Sequence, residues 1–244
     1  MIGYGKSDVG KIRANNEDAI YVNNDGLGAL SNLFVVADGM GGHNAGEVAS
    51  GQAVLAFCEF FAENTDFVLV QDLLTDGLAF ANGRIYEGAR QVASFSGMGT
   101  TLTACCADDE NLYYTHVGDS RIYIISDDGM HQLTRDDSLV ADMVEKGEIT
   151  KDEARSHPEK NVLTRAVGTD RDVDISKGYI SIAGINNVLL CSDGLTDMLS
   201  DDEILDVMKT ADTMADKAEN LVARALEAGG DDNISVIVAG WMAE

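Results

Sequence analysis

A chain of 244 residues, 45 % of them hydrophobic, is long enough for a substantial core, and a formal net charge of -25, from 42 acidic against 17 basic residues, argues against nucleic acid or an anionic membrane surface as partner. Cys58, Cys105, Cys106 and Cys191 show no Cys-x-x-Cys spacing and sit in apolar runs, so they read as buried, reduced thiols of a cytoplasmic protein. No run approaches ~18 apolar residues and no basic-then-apolar leader opens the chain, so no membrane insertion is expected. No linker-like stretch interrupts residues 1–244, which predicts a single domain.

In chain order, strands are expected at Ile2 to Lys6 and Ala19 to Val22, with Arg13, Glu17 and Asp18 on the polar segment between them. Leu33 to Ala37 is an unbroken apolar run that stops at Asp38-Gly39 and a glycine-rich bend, Met40 to His43. A strand buried on both faces would fix the Asp38 carboxylate at its tip, which suits a metal ligand. Two helix stripes follow, from Val48 to Phe61 within residues 46–64, then through Leu74, Leu78, Ala81, Ile85 and Ala89. Thr100 to Ala107, Leu112 to Val117, Arg121 to Ser126 and Met130 to Leu133 read as one antiparallel meander.

From residue 138 to about 168 the pattern changes to short helices, with a capping box at Thr150 and Glu153 and a stop before Pro158. This weakly apolar insertion is expected to form a mobile surface flap. Strands resume at residues 173–182 and 188–191; Ser200 and Glu203 cap a helix, Met214 to Leu226 form another, and residues 234–241 form a last strand. The order predicts an antiparallel α+β layered sandwich.

Four of these strands have an Asp at one tip: Asp38, Asp119, Asp193 and Asp232. Carboxylates brought to one point repel unless cations lie between them, and hard divalent cations suit oxygen ligands. Taken singly, each Asp site is an ordinary turn. Cysteine-based phosphatase chemistry needs an Arg six positions after the Cys, where Cys191 has Asp197. Neither a full Gly-x-x-x-x-Gly-Lys-Ser/Thr phosphate loop nor a Gly-x-Ser-x-Gly elbow is present. His116 alternates with apolar neighbours and reads as a core residue; His131 and His157 lie in exposed segments.

The motifs Arg13-Ala14-Asn15-Asn16-Glu17-Asp18, Val36-Ala37-Asp38-Gly39-Met40-Gly41-Gly42-His43, Met98-Gly99-Thr100-Thr101, Val117-Gly118-Asp119-Ser120-Arg121, Leu163-Thr164-Arg165-Ala166-Val167-Gly168, Ser192-Asp193-Gly194-Leu195-Thr196-Asp197 and Gly230-Asp231-Asp232-Asn233 occur in this order. Together they resemble the metal-dependent protein serine/threonine phosphatase family, protein phosphatase type 2C, in its compact bacterial form. The resemblance implies an α+β, four-layer α-β-β-α sandwich of two antiparallel sheets flanked by helix pairs, with a small helical flap and a pair of Mn2+ or Mg2+ ions where the sheets open. It implies that Asp38 bridges both metals, that the Gly39 carbonyl binds one, and that Asp193 and Asp232 bind the other. Glu17 and Asp18 would hold metal-bound waters, and Asp119 with Asp193 would form a third site near the flap.

Such a cation pair, roughly 3.5–4 Å apart, would present hydroxide for in-line attack on phosphoserine or phosphothreonine, and Arg13 would clamp the phosphate. The implied partners are phosphorylated proteins, substrates of a serine/threonine kinase that this enzyme would oppose in the cytoplasm as a monomer. Two positions depart from the family's pattern. The animal-type His directly after Asp-Gly is Met40 here, so the general acid is His43, three residues on, or a metal-bound water. In Asp136-Asp137-Ser138, bacterial relatives have His before the Ser. Arg165 reads either as a substrate contact or as a flap-to-core salt bridge. The rival functions are a non-catalytic phosphopeptide-binding scaffold and a calcium buffer, the latter without the twelve-residue loop spacing such sites use.

Overall fold

The apolar runs pair into two antiparallel sheets. A computed structural model describes residues 1–41, 45–63 and 69–241. One sheet has the order β1 (Ile2–Asp8), β11 (Ile234–Gly240), β10 (Ile185–Cys191), β7 (Arg121–Ser126) and β8 (Gly129–Gln132). The other has the order β2 (Asp18–Asn23), β3 (Leu33–Met40), β5 (Leu102–Ala107), β6 (Asn111–Val117) and β9 (Ser176–Ser181), with β4 (Gly99–Thr100) pairing the end of β3.

Three apolar seams define the layers. Between the sheets, Phe34, Val36, Leu112, Ile122, Val188, Leu190 and Ile237 are fully buried. The outer face of the second sheet is covered by α1 (Ala45–Glu63) and α2 (Val70–Gln91), whose Phe57, Phe61, Leu74, Leu78 and Ile85 form a seam with Val35, Leu102 and Ala104. The outer face of the first is covered by α6 (Asp201–Thr210) and α7 (Met214–Ala228), with Ile204, Val207, Leu221 and Val222 in a seam with Leu189, Val236 and Val238. Each such side chain contributes about 1.5–3 kcal/mol by leaving water. The order is the expected α-β-β-α.

Two expectations are corrected. The strands from Thr100 to Leu133 do not form one meander: β5–β6 and β7–β8 are hairpins in different sheets. The chain crosses between sheets at Gly118-Asp119-Ser120, where Gly118 takes a φ of +111° and a Cβ would run into Thr101. Alternation of apolar residues reports that a segment is a strand, not which sheet it joins. The crossing sets Asp119 between the sheets.

The second correction concerns β3, which does not stop at Asp38. It runs on to Met40 because its backbone finds partners on both sides: Asp38 lies opposite Asp18 of β2, and Gly39 and Met40 pair with Thr100 and Gly99 of β4. The expected short helices are α3 (Leu139–Glu145) and α4 (Lys151–Arg155), the latter opened by the Thr150 and Glu153 capping box. Ser200 and Glu203 cap α6 the same way, and Thr213 with Asp216 caps α7. A four-residue helix, α5 (Asp193–Thr196), replaces the expected Asp-Gly turn.

Candidate metal centre

Five carboxylates reach one end of the sandwich from five separate elements: Asp18 from β2, Asp38 from β3, Asp119 from the crossing loop, Asp193 from the first residue of α5, and Asp232 from the turn before β11. Asp38 is held by backbone on both sides. Its N–H donates to Thr101 Oγ1 (2.8 Å), and its carbonyl accepts from Thr101 N (2.8 Å) and Thr100 Oγ1 (2.8 Å). Gly39 N donates to Glu17 O (3.0 Å), and a Cβ on Gly39 would collide with the Glu17 and Gly46 carbonyls. That close approach explains the glycine.

Two residues with no obvious chemistry in the sequence tie the ends of the two sheets together. Ser192 Oγ donates to Asp18 Oδ2 (2.7 Å) and accepts from Ser235 N (3.0 Å). Asn233 accepts from Glu17 N (2.7 Å) and donates from Nδ2 to Val9 O (2.8 Å) and Asn15 O (3.0 Å). Ser and Asn are common turn residues, so only their place beside motif acids distinguishes them in sequence.

The electrostatics are those of crowded like charges. Burial, then the charges of Asp18, Asp193 and Asp119, hold the Asp38 carboxyl well above the usual carboxylate range. Burial pushes Asp18 up to about 7, with Asp193 and Asp232 adding to the shift and hydrogen bonds from Ser235 and Ser192 opposing it. Asp193 is raised to about 6 by burial and by Asp197 and Asp232. Asp119 is raised by burial, Asp193 and Asp136, against the pull of Arg121. Burial also raises Glu17, with Arg13 opposing.

Oδ1 of both Asp18 and Asp193 is shielded from solvent without a hydrogen-bond partner. Unpartnered buried oxygens are rare in folded proteins. Among the described residues no three Asp, Glu, His or Cys side chains are posed as a closed ligand set. The orphaned oxygens and the mutual repulsion nevertheless fit hard divalent cations, for which oxygen-only donors are the natural ligands.

Arg13 stands at the rim, its Nη2 2.7 Å from Asp232 Oδ2 and its side chain 47 % exposed. Arg165 is a flap-to-core salt bridge: it pairs with Asp137, which is fully buried, and with Asp174 (2.8 Å). Asp136 instead pairs with Arg121 (2.6 Å). Under the flap lies a cavity of about 690 Å3 whose lining includes Asp119, Asp193, Arg155 and Lys160. His116 is a core residue as expected, with Nδ1 2.8 Å from Thr103 Oγ1 and Nε2 3.0 Å from Arg135 O. His43 lies outside the described residues.

Chelated protein is expected to lose stability as pH rises. Asp18 and Asp193, at about 7 and about 6 in the fold against an ordinary 3.8, keep protons that the unfolded chain has released. Stability is therefore lost between about pH 4 and 7. His116, lowered by burial, pulls the other way below its ordinary 6.5, but it is one group against several acids. Thermal unfolding in chelator at pH 5.5 and 8 measures the balance; a higher Tm at pH 8 would contradict it.

A family model described as protein phosphatase 2C matches residues 10–228. The serine/threonine phosphatase stp of Listeria innocua serovar 6a is 37 % identical over 238 residues, covering 96 % of this chain and 93 % of its own. The crystal structure of serine/threonine phosphatase Stp1 from Staphylococcus aureus has a TM-score of 0.92 at 33 % identity, covering 100 % of this chain and 96 % of that one. That of the catalytic domain of the serine threonine protein phosphatase PstP, in complex with 2 manganese ions, has a TM-score of 0.85 at 34 % identity, covering 98 % and 96 %. With the layers, the acids and these matches in agreement over nearly its whole length, the chain belongs to the protein phosphatase 2C family, as an enzyme of the compact bacterial form.

Proposed function

We propose that the enzyme hydrolyses phosphoserine and phosphothreonine in proteins modified by a serine/threonine kinase, acting with Mn2+ or Mg2+ in the cytoplasm as a monomer. The observation that supports it most is the pair of orphaned oxygens on Asp18 and Asp193 inside a cluster of repelling carboxylates. The manganese ions in the PstP structure agree with that reading. The free cysteines, three of them buried, suit a reducing compartment.

In this proposal Asp38, the Gly39 carbonyl, Asp193 and Asp232 would hold the two cations, Glu17 and Asp18 would support them through water, and Asp119 with Asp193 would hold a third beside the flap cavity. When bound, the cation pair supplies a water acidic enough to ionise near neutral pH and offsets the charge of the phosphoryl oxygens. Arg13 grips those oxygens with its planar fork while Asp232 holds the guanidinium at the rim. Ser192 and Asn233 fix Asp18 and the Glu17 backbone, so the acids are set before substrate arrives. His43, or a water held at the site, would give the leaving alkoxide its proton.

Arg13→Ala is expected to lower kcat/KM on a phosphothreonine peptide about a hundredfold, as the loss of one charged donor aimed at the reacting group does. Arg13→Lys is expected to recover only part, because an ammonium cannot grip two oxygens in one plane. Steady-state kinetics at saturating Mn2+ test it; unchanged kcat/KM in Arg13→Ala would remove the clamp from the account.

A further inference from the structure

Between β1 and β2 the chain makes an excursion, residues 9–17, that is closed against the turn bearing Asp232. Besides the two Asn233 bonds to Val9 and Asn15, Lys11 N donates to Gly230 O (2.7 Å) and Gly10 N to Asp8 Oδ1 (2.9 Å). Gly10 takes a φ of +77°, and a Cβ there would meet the Asp232 and Gly230 carbonyls. Arg13, paired with Asp232, fastens the far side. Ile12 sits between these anchors and is 71 % exposed.

Single exposed apolar residues are common and need no explanation by themselves. Ile12 differs in its place from the other two most exposed aliphatic side chains. Leu55 and Leu69 are also well exposed, but they lie on or beside the helices that cover the outside of the second sheet. Ile12 immediately precedes Arg13, whose guanidinium stands at the rim of the metal centre, on a backbone anchored on both sides.

We propose that Ile12 is a specificity-determining residue: it packs against an apolar side chain flanking the phosphorylated residue, so that phosphosites next to Leu, Ile or Val are preferred over those next to Gly. The proposal rests on the reading of Arg13 as the phosphate clamp. Ile12 and Arg13 are consecutive, with Cα atoms ~3.8 Å apart, so a phosphopeptide held by Arg13 crosses the segment that carries the exposed Ile12 side chain. A chain of net charge -25 offers a phosphopeptide no general attraction. Apolar burial at the rim supplies binding that this field withholds.

The test compares kcat/KM, with Mn2+, for two phosphothreonine peptides that differ only in having Leu or Gly on both sides of the phosphothreonine. The parent enzyme is expected to favour the Leu peptide about tenfold, mostly through KM. Ile12→Ser is expected to bring the ratio to about one and Ile12→Val to keep most of it, both with Tm close to the parent's, as for surface substitutions generally. Equal kcat/KM for the two peptides in the parent, or a ratio that survives in Ile12→Ser, overturns the proposal and leaves the phosphatase reading standing. Absence of Mn2+-dependent phosphate release from both peptides overturns that reading and this proposal with it.

Discussion

Asp38→Asn is expected to cut Mn2+-dependent phosphate release by about a thousandfold while leaving the chelated protein at least as stable as the parent. The two halves of this result come from one geometry. The residue lies inside β3, its backbone fixed by Thr100 and Thr101, so an isosteric amide stays where the carboxylate was. What disappears is a charge shared among Asp18, Asp193 and Asp119. Without cations folding must either keep a proton on Asp38 or set its charge against its neighbours, a cost the amide does not carry; with cations the carboxylate is a ligand and its loss removes the chemistry. The Tm gain on adding Mn2+ is accordingly expected to shrink in the variant. Turnover at the parent's rate in Asp38→Asn would refute the assignment.

The largest loss of stability is expected from Asp137→Ala, at about 3–5 kcal/mol, the usual effect of removing one partner of a buried pair. Its side chain is fully buried and accepts from Arg165 and from Gly118 N (3.0 Å). The backbone is used as well: Asp137 N donates to Gly118 O (2.7 Å), and Thr164 N donates to Asp137 O (2.8 Å). One residue therefore joins the start of the flap, the end of the flap and the loop that presents Asp119. Asp137→Asn keeps an acceptor for Gly118 and is expected to lose less. At roughly 2–4 °C per kcal/mol for a chain of this size, Asp137→Ala lowers Tm by about 10 °C. Denaturation curves coincident with the parent's would show that Arg165 does not depend on this partner.

Much of this was legible in the sequence because it follows from repetition and spacing. The helix stripes of α1, α2 and α7 show the 3.6-residue period, and the boxes at Thr150 and Ser200 mark helix starts by a local bond. The acids at Asp38, Asp119, Asp193 and Asp232 stood out as a set. Long-range pairing was not legible. Nothing in Leu102 to Gln132 announces that the chain changes sheets at Gly118, and nothing in Ser192 or Asn233 shows that each bonds across the mouth of the sandwich. For Arg165 the sequence left two roles open, and the salt bridge became visible only with the burial of Asp137. The extension of β3 to Met40 depended on partners in β2 and β4 that no local pattern reveals.

The central claim is that the converging carboxylates are a cation site whose occupancy switches on phosphoester hydrolysis. Protein stripped with chelator, then assayed on a phosphothreonine peptide with and without Mn2+, tests it most directly. No phosphate release is expected until Mn2+ is restored, and release thereafter. Folded protein that binds Mn2+ and still releases no phosphate would contradict it.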